Sequence, residues 1–79
     1  MEQTLADIAV GKTGSVLGFN KDTNVYRQKL LAMGFIKGTT FRVVRVAPMG
    51  DPVEIRVRDF SISLRREEAR ALRVKEISL

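Results

Sequence analysis

Two short runs, Val53-Glu54-Ile55-Arg56-Val57-Arg58 and Phe60-Ser61-Ile62-Ser63-Leu64, alternate apolar and polar residues without a break. Such alternation marks a half-buried strand, because successive side chains point to opposite faces of a sheet. With Arg58-Asp59 as a two-residue turn, Val57 falls opposite Phe60, Ile55 opposite Ile62 and Val53 opposite Leu64. All six then share one face. A slip of one residue would set the apolar set of one strand against the polar set of the other. No other feature constrains the fold as tightly: the chain must hold an antiparallel hairpin with one face to bury. The turn chemistry is less favourable. Two-residue hairpins prefer Asn-Gly or Asp-Gly, whose backbones accept positive φ. Here Asp59 is the residue expected to tolerate the left-handed region.

The remaining segments supply the cover. Residues 4–8 read as one helical turn with Leu5 and Ile8 facing the core. Residues 13–19 form a first strand with imperfect alternation, and Gly18 marks a bend or a close backbone approach. A polar break at 20–24 offers Asp22 or Thr23 as a helix cap. The helix runs to about Met33, with Tyr26, Leu30 and Met33 on one stripe. Gly34 sits where a C′ glycine belongs, which pairs Phe35 with Leu30 in a Schellman arrangement. Leu31 lies off the stripe, where it either covers another edge of the core or contacts a partner. Residues 40–46 are rich in β-branched side chains and form a second strand. Phe41 and Phe60 are in core phase. Residues 65–72 make a short helix, with Glu67 and Glu68 suiting its start and Arg70 and Arg73 its end. Residues 73–77 alternate again. The fold class is therefore mainly β with short helices. Five strands in one domain spanning 1–79 suggest a small closed barrel, its longer helix inserted after the first strand.

Between the second strand and the hairpin lies Ala47-Pro48-Met49-Gly50-Asp51-Pro52. Each proline fixes its own φ and biases the residue before it toward extended geometry, and Gly50 accepts a positive φ. A loop so built holds a shape and presents a surface, but carries no reactive group.

The chain has no histidine and no cysteine. The usual general base, the thiolate nucleophile and the strongest transition-metal ligands are therefore missing, as is any disulfide. Glu54, Glu67 and Glu68 read as solvent-facing or helix-end charges, and Asp51 and Asp59 as turn residues. The glycines at 11, 14 and 18 do not make a phosphate loop. Neither catalytic residues, nor metal ligands, nor a cofactor site is expected. The formal charge of +5 is spread along the chain, which suits a solvated surface or an anionic partner. Arg56 and Arg58 line the solvent face of one strand and Arg42 extends that basic patch, so a nucleic-acid-binding module is an alternative reading. It lacks spare aromatics for stacking bases. No apolar run approaches the ~18 residues of a membrane span, and the start of the chain lacks the pattern of a signal peptide. A cytoplasmic location is expected.

The combined order of motifs resembles the FeoA family, the small cytoplasmic component of bacterial ferrous-iron uptake. The resemblance rests on residues 27–35, ending Leu30-Leu31-Ala32-Met33-Gly34-Phe35, then Gly38-Thr39, the 47–52 loop, the 53–58 strand, Leu64-Arg65-Arg66-Glu67-Glu68-Ala69 and Val74. Asp59 departs from the glycine often found there in the family. The resemblance implies an SH3-like barrel and a stand-alone accessory protein of iron homeostasis. It also implies a partner, FeoB, a membrane transporter with a cytoplasmic G-protein domain. The expected contact residues are Leu31, Phe35, Ile36, Pro48, Met49, Gly50, Asp51 and Pro52, an apolar spot beside a stiff loop. Activation of the partner's GTP hydrolysis and weak self-association through a barrel edge are further alternatives.

Overall fold

The hairpin forms in the register that its alternation requires. β4 (Val53–Val57) and β5 (Phe60–Leu64) pair antiparallel, with Val57 opposite Phe60, Ile55 opposite Ile62 and Val53 opposite Leu64. The computed structural model describes residues 3–20 and 24–77. In the turn, however, positive φ falls on Arg58, at 56°, and not on Asp59. A turn with positive φ only at its first central residue also follows the right-handed twist of a hairpin. The twist of the strands, not the tolerance of the residue, chose the position.

The other strands extend this hairpin into one antiparallel ladder. β3 (Thr40–Val46) pairs with β4 and with β2 (Thr13–Phe19), β2 pairs with β6 (Leu72–Ile77), and β6 pairs with β1 (Gln3–Thr4). Register shifts between Val16 and Gly18 in β2 and between Val43 and Arg45 in β3 mark bulges. Bulges add right-handed twist and bend the strand that carries them. The curled sheet encloses a core of Leu5, Val16, Leu30, Phe35, Phe41, Val43, Ile55, Leu64 and Leu72, all fully buried.

Three expectations are corrected here. Among the described residues the sheet has six strands, not five, and the ladder is not closed: its order is β1-β6-β2-β3-β4-β5, leaving β1 and β5 as edges. The additional strand is only two residues long, too short to show any periodicity. Thr4 also begins the 3₁₀ turn at Leu5–Asp7, where the Asp7 carboxylate accepts from the Thr4 N–H (2.9 Å) and hydroxyl (3.2 Å). Phe60 is corrected too. It stands in core phase beside Val57, yet it is 68% exposed. It sits at the hairpin tip, past the point where the core covers that face.

Both helices contribute to the same core, through Leu30 and Ala69. α1 (Asn24–Ala32) ends as the sequence requires: the Gly34 N–H donates to the Leu31 carbonyl and the Phe35 N–H to the Leu30 carbonyl, each at 3.0 Å. Gly34 takes φ 95°, the left-handed conformation of a Schellman C′ residue. Leu30 and Phe35 are both fully buried, and Tyr26 and Met33 pack against the same core. The expected caps, Asp22 and Thr23, lie outside the described residues. α2 (Arg66–Arg70) is shorter than expected, because Leu72 already belongs to β6. Gly14 is fixed by close approach. A Cβ there would stand 2.6 Å from Phe41 Cζ and 3.2 Å from the Lys75 carbonyl oxygen.

Candidate functional site: a tethered loop beside an open sheet edge

The 47–52 loop is held from within and from outside. Inside it, the Gly50 N–H donates to the Ala47 carbonyl (2.7 Å) and the Ala47 N–H to the Pro52 carbonyl (3.1 Å). Gly50 takes φ 82°, which a side chain would resist. The Asp51–Pro52 peptide is cis. From outside, Arg66 makes two contacts. Its backbone N–H donates to Asp51 Oδ1 and its Nη2 to the Met49 carbonyl, both at 3.1 Å. Arg66 is the first residue of α2, so Asp51 satisfies one of the N–H groups that every helix start leaves free. A Cβ on Gly50 would collide with Arg66 Nη2. The loop therefore carries Met49 at 85% exposure on an ordered frame. The prolines and Gly50 announced this stiffness. The Arg66 tether, 15 residues or more away in sequence, gave no sequence signal.

Glu68 supports the same corner. It was expected to be a solvent-facing helix-end charge, and this is corrected: its side chain is 4% exposed. It accepts the Arg65 N–H (2.9 Å) and pairs with Lys29 Nζ of α1 (2.5 Å), whose side chain is 60% exposed. Burial by itself would raise its pKa. The Lys29 and Arg65 hydrogen bonds, with the positive charges of both residues, outweigh that and hold the carboxyl below the usual carboxylate range. Glu68 thus stays ionised and ties α1 to α2. Lys29, Asp51, Pro52, Ser63, Arg65 and Glu68 line one polar depression between these elements.

The expected contact residues do not form one spot. Phe35 is fully buried and is withdrawn as a contact: the Schellman turn that places it beside Leu30 also places it in the core. Ile36, 57% exposed, lines an apolar groove with Met33, Phe60 and Ile62, rimmed by Arg58 and Ser61, of about 530 Å³. Pro48 and Pro52 line a separate depression with Arg45, Glu54 and Ser63. Met49 and Leu31, the latter 40% exposed, border neither of these. Phe60 is the surface residue that sequence reasoning missed, since its alternation gave the phase of the strand but not where the core ends.

Ser63 borders both the loop depression and the polar one, and Ser61 borders the apolar groove. β5 thus connects the groove to the loop. On the solvent face next to it, Arg42 of β3 stands opposite Arg56 of β4, and Arg56 stands opposite Ser61. Among the described residues neither arginine has an ion pair, whereas Arg45 pairs with Glu54 at 2.8 Å. Among the same residues, no three acidic side chains gather as a metal site, and no helix is long and apolar enough to cross a membrane.

Comparison with known proteins places this arrangement. The FeoA domain family matches residues 3–76. A fusion of Fe(2+) transport protein A with the Fe(2+) transporter FeoB, from Porphyromonas gingivalis, is 48% identical over 54 residues. That stretch is 68% of this chain and only 6% of the fusion protein. The solution structure of a FeoA-like protein from Clostridium acetobutylicum superposes with a TM-score of 0.89 at 31% identity, covering 99% of this chain and 90% of that one. FeoA from Stenotrophomonas maltophilia, described as a procaryotic SH3 domain protein in complex with zinc, gives 0.79 at 25% identity, with 92% and 89% covered. The six-stranded sheet is thus of the SH3-like type.

Proposed function

This chain belongs to the FeoA family, and from that premise we propose that it is a non-catalytic accessory protein of bacterial ferrous iron uptake that binds the cytoplasmic parts of the FeoB transporter. The observation that carries this reading is the Porphyromonas gingivalis fusion, in which a segment 48% identical to this one shares a chain with the transporter. Covalent linkage raises effective concentration to the millimolar range. It serves two modules that meet; separate chains must instead find each other through a surface.

The tethered loop is a suitable surface. Association costs the ordering of whatever it immobilises. Here the backbone of 47–52 is already ordered by Arg66 and by its own hydrogen bonds. Met49 at its tip offers an unbranched, polarizable side chain that adapts to an apolar site. The proposed contacts are Pro48, Met49, Gly50, Asp51 and Pro52 of the loop, with Leu31 and Ile36 as exposed apolar residues elsewhere on the surface. The non-catalytic part of the proposal rests on chemistry. The chain has neither histidine nor cysteine, and Glu68 has its pKa moved down, away from the range of a general acid or base. On this reading the protein acts on the cytoplasmic side, where the transporter's G-protein domain lies.

The test is co-purification of the transporter's cytoplasmic region with the wild type and with Met49→Asp. Met49 is exposed, so the variant should fold, and binding should fall at least tenfold. Equal binding by the folded variant would remove the loop from the interface. GTP turnover by the same region, with and without this protein, separates docking from activation.

A further inference from the structure

The outer edge of β5 has the properties of a docking strand. β5 ends the ladder, and among the described residues no strand covers its outer side. Val57 and Phe60 close a two-residue turn. The alternation of an antiparallel pair then directs the backbone groups of Phe60, Ile62 and Leu64 to β4, and those of Ser61 and Ser63 outward. Proteins normally blunt such an edge with proline, a charge or a bulge. The run Phe60-Ser61-Ile62-Ser63-Leu64 has none of these, and its register is unbroken.

The two faces beside this edge differ in chemistry. On the inner side runs the apolar groove of Ile36, Met33 and Phe60. On the outer side stand Arg56 and Arg42, directly opposite each other across β3 and β4. Opposed like charges on neighbouring strands are destabilising, and an anion placed there relieves them. Ser61 lies between Arg56 and the edge and is too short to block the path.

We infer that β5 accepts an added strand from the partner, an extended segment whose apolar residues face the groove and whose acidic residue opposite Ser61 faces the row of Arg56 and Arg42. A strand added to β5 lies about 4.8 Å from it and so roughly 9.6 Å from β4. A glutamate opposite Ser61 and an arginine at 56 span that gap. The main chain supplies affinity, and the alternating side chains supply selection. A second copy of this chain is a poor occupant, because the outward residues of its own β5 are serines and bring no negative charge to the arginines. The inference rests on the docking reading above, with the segment belonging to the transporter's cytoplasmic part.

The probe is a capped heptapeptide alternating valine and glutamate, compared with twins carrying glutamine or lysine in place of glutamate. Binding to the full chain is followed by amide exchange and by chemical shifts. The Val/Glu peptide should slow exchange at the Ser61 and Ser63 amides. The glutamine twin should bind about tenfold more weakly and the lysine twin not at all. Ser61→Pro removes one outward N–H without touching a bond to β4, and should abolish binding while the thermal transition stays. If that variant fails to fold, Arg56→Glu serves instead, and its preference should turn to the lysine twin. No change at Ser61 and Ser63 at millimolar peptide, or equal binding of all three peptides, overturns the inference. So does a concentration-dependent dimer that Ser61→Pro disperses, which would assign the edge to a second copy. If the transporter region binds wild type and Ser61→Pro alike, the strand-addition inference falls while the docking reading stands. If that region fails to bind wild type but the peptide orders Ser61 and Ser63, the docking reading falls and the edge keeps its assignment.

Discussion

Replacing Glu68 with alanine should destabilise this protein more than any other single change to a charged residue considered above. The carboxylate accepts the Arg65 N–H at 2.9 Å and is 4% exposed. A hydrogen bond to a charged group contributes about 1.5–3 kcal/mol. The Lys29 pair adds less than about 1 kcal/mol, because the lysine is 60% exposed and returns to water when its partner leaves. The expected cost of Glu68→Ala is therefore about 2–3 kcal/mol. In a domain of this size that is a fall in Tm of roughly 10–20 °C. Glu68→Gln keeps an acceptor for the Arg65 N–H and should cost only about 1 kcal/mol. The pH dependence follows from the lowered pKa. The unfolded chain takes up the proton near the ordinary value of 4.5, before the folded one does. The contribution of Glu68 is therefore complete above 4.5 and lost as pH falls through the lower, folded value. Thermal and urea denaturation followed by circular dichroism, at pH 7 and at pH below 4, measure both effects. Wild type should lose more stability on acidification than Glu68→Gln. If Glu68→Ala lies within about 0.5 kcal/mol of wild type, or if acid affects wild type and Glu68→Gln equally, the carboxylate does not tie the helices as described.

Other perturbations test other parts of the structure. Gly14→Ala drives a methyl to 2.6 Å from Phe41 Cζ and 3.2 Å from the Lys75 carbonyl; overpacking of this kind costs about 1–3 kcal/mol, readable as a lower urea midpoint. Arg66→Ala removes the guanidinium tether to the Met49 carbonyl but keeps the backbone bond to Asp51; amide exchange at Gly50 should accelerate, with a stability loss of about 1 kcal/mol. Arg58→Gly relieves the positive φ of the hairpin turn, and the protein should gain up to about 1 kcal/mol by thermal denaturation.

The parts that sequence disclosed were those governed by local repetition. The β4–β5 register followed from strict alternation over two adjacent runs, with a turn too short to allow a slip. The end of α1 followed from one glycine and two apolar residues at fixed offsets, and its two hydrogen bonds fall on Leu30 and Leu31 as the motif demands. What stayed hidden depends on distant segments. Glu68 carries the same helix-start signal whether it is solvated or covered by Lys29, which lies 39 positions earlier. Gln3–Thr4 is a strand only because β6 lies beside it. Phe60 is in core phase with no core above it, whereas the burial of Phe35 was already legible in its Schellman pairing with Leu30. For the candidate site, the stiffness of the 47–52 loop was legible in its prolines and glycine. Its tether through Arg66, and its continuity with the β5 edge through Ser63, required the folded chain.

The most direct measurement is a calorimetric titration of the FeoB transporter's cytoplasmic region with the intact protein. The account predicts saturable one-to-one binding that weakens tenfold or more in the folded Met49→Asp variant. An absence of heat and of complex at tens of micromolar of each, with both proteins folded, would contradict it.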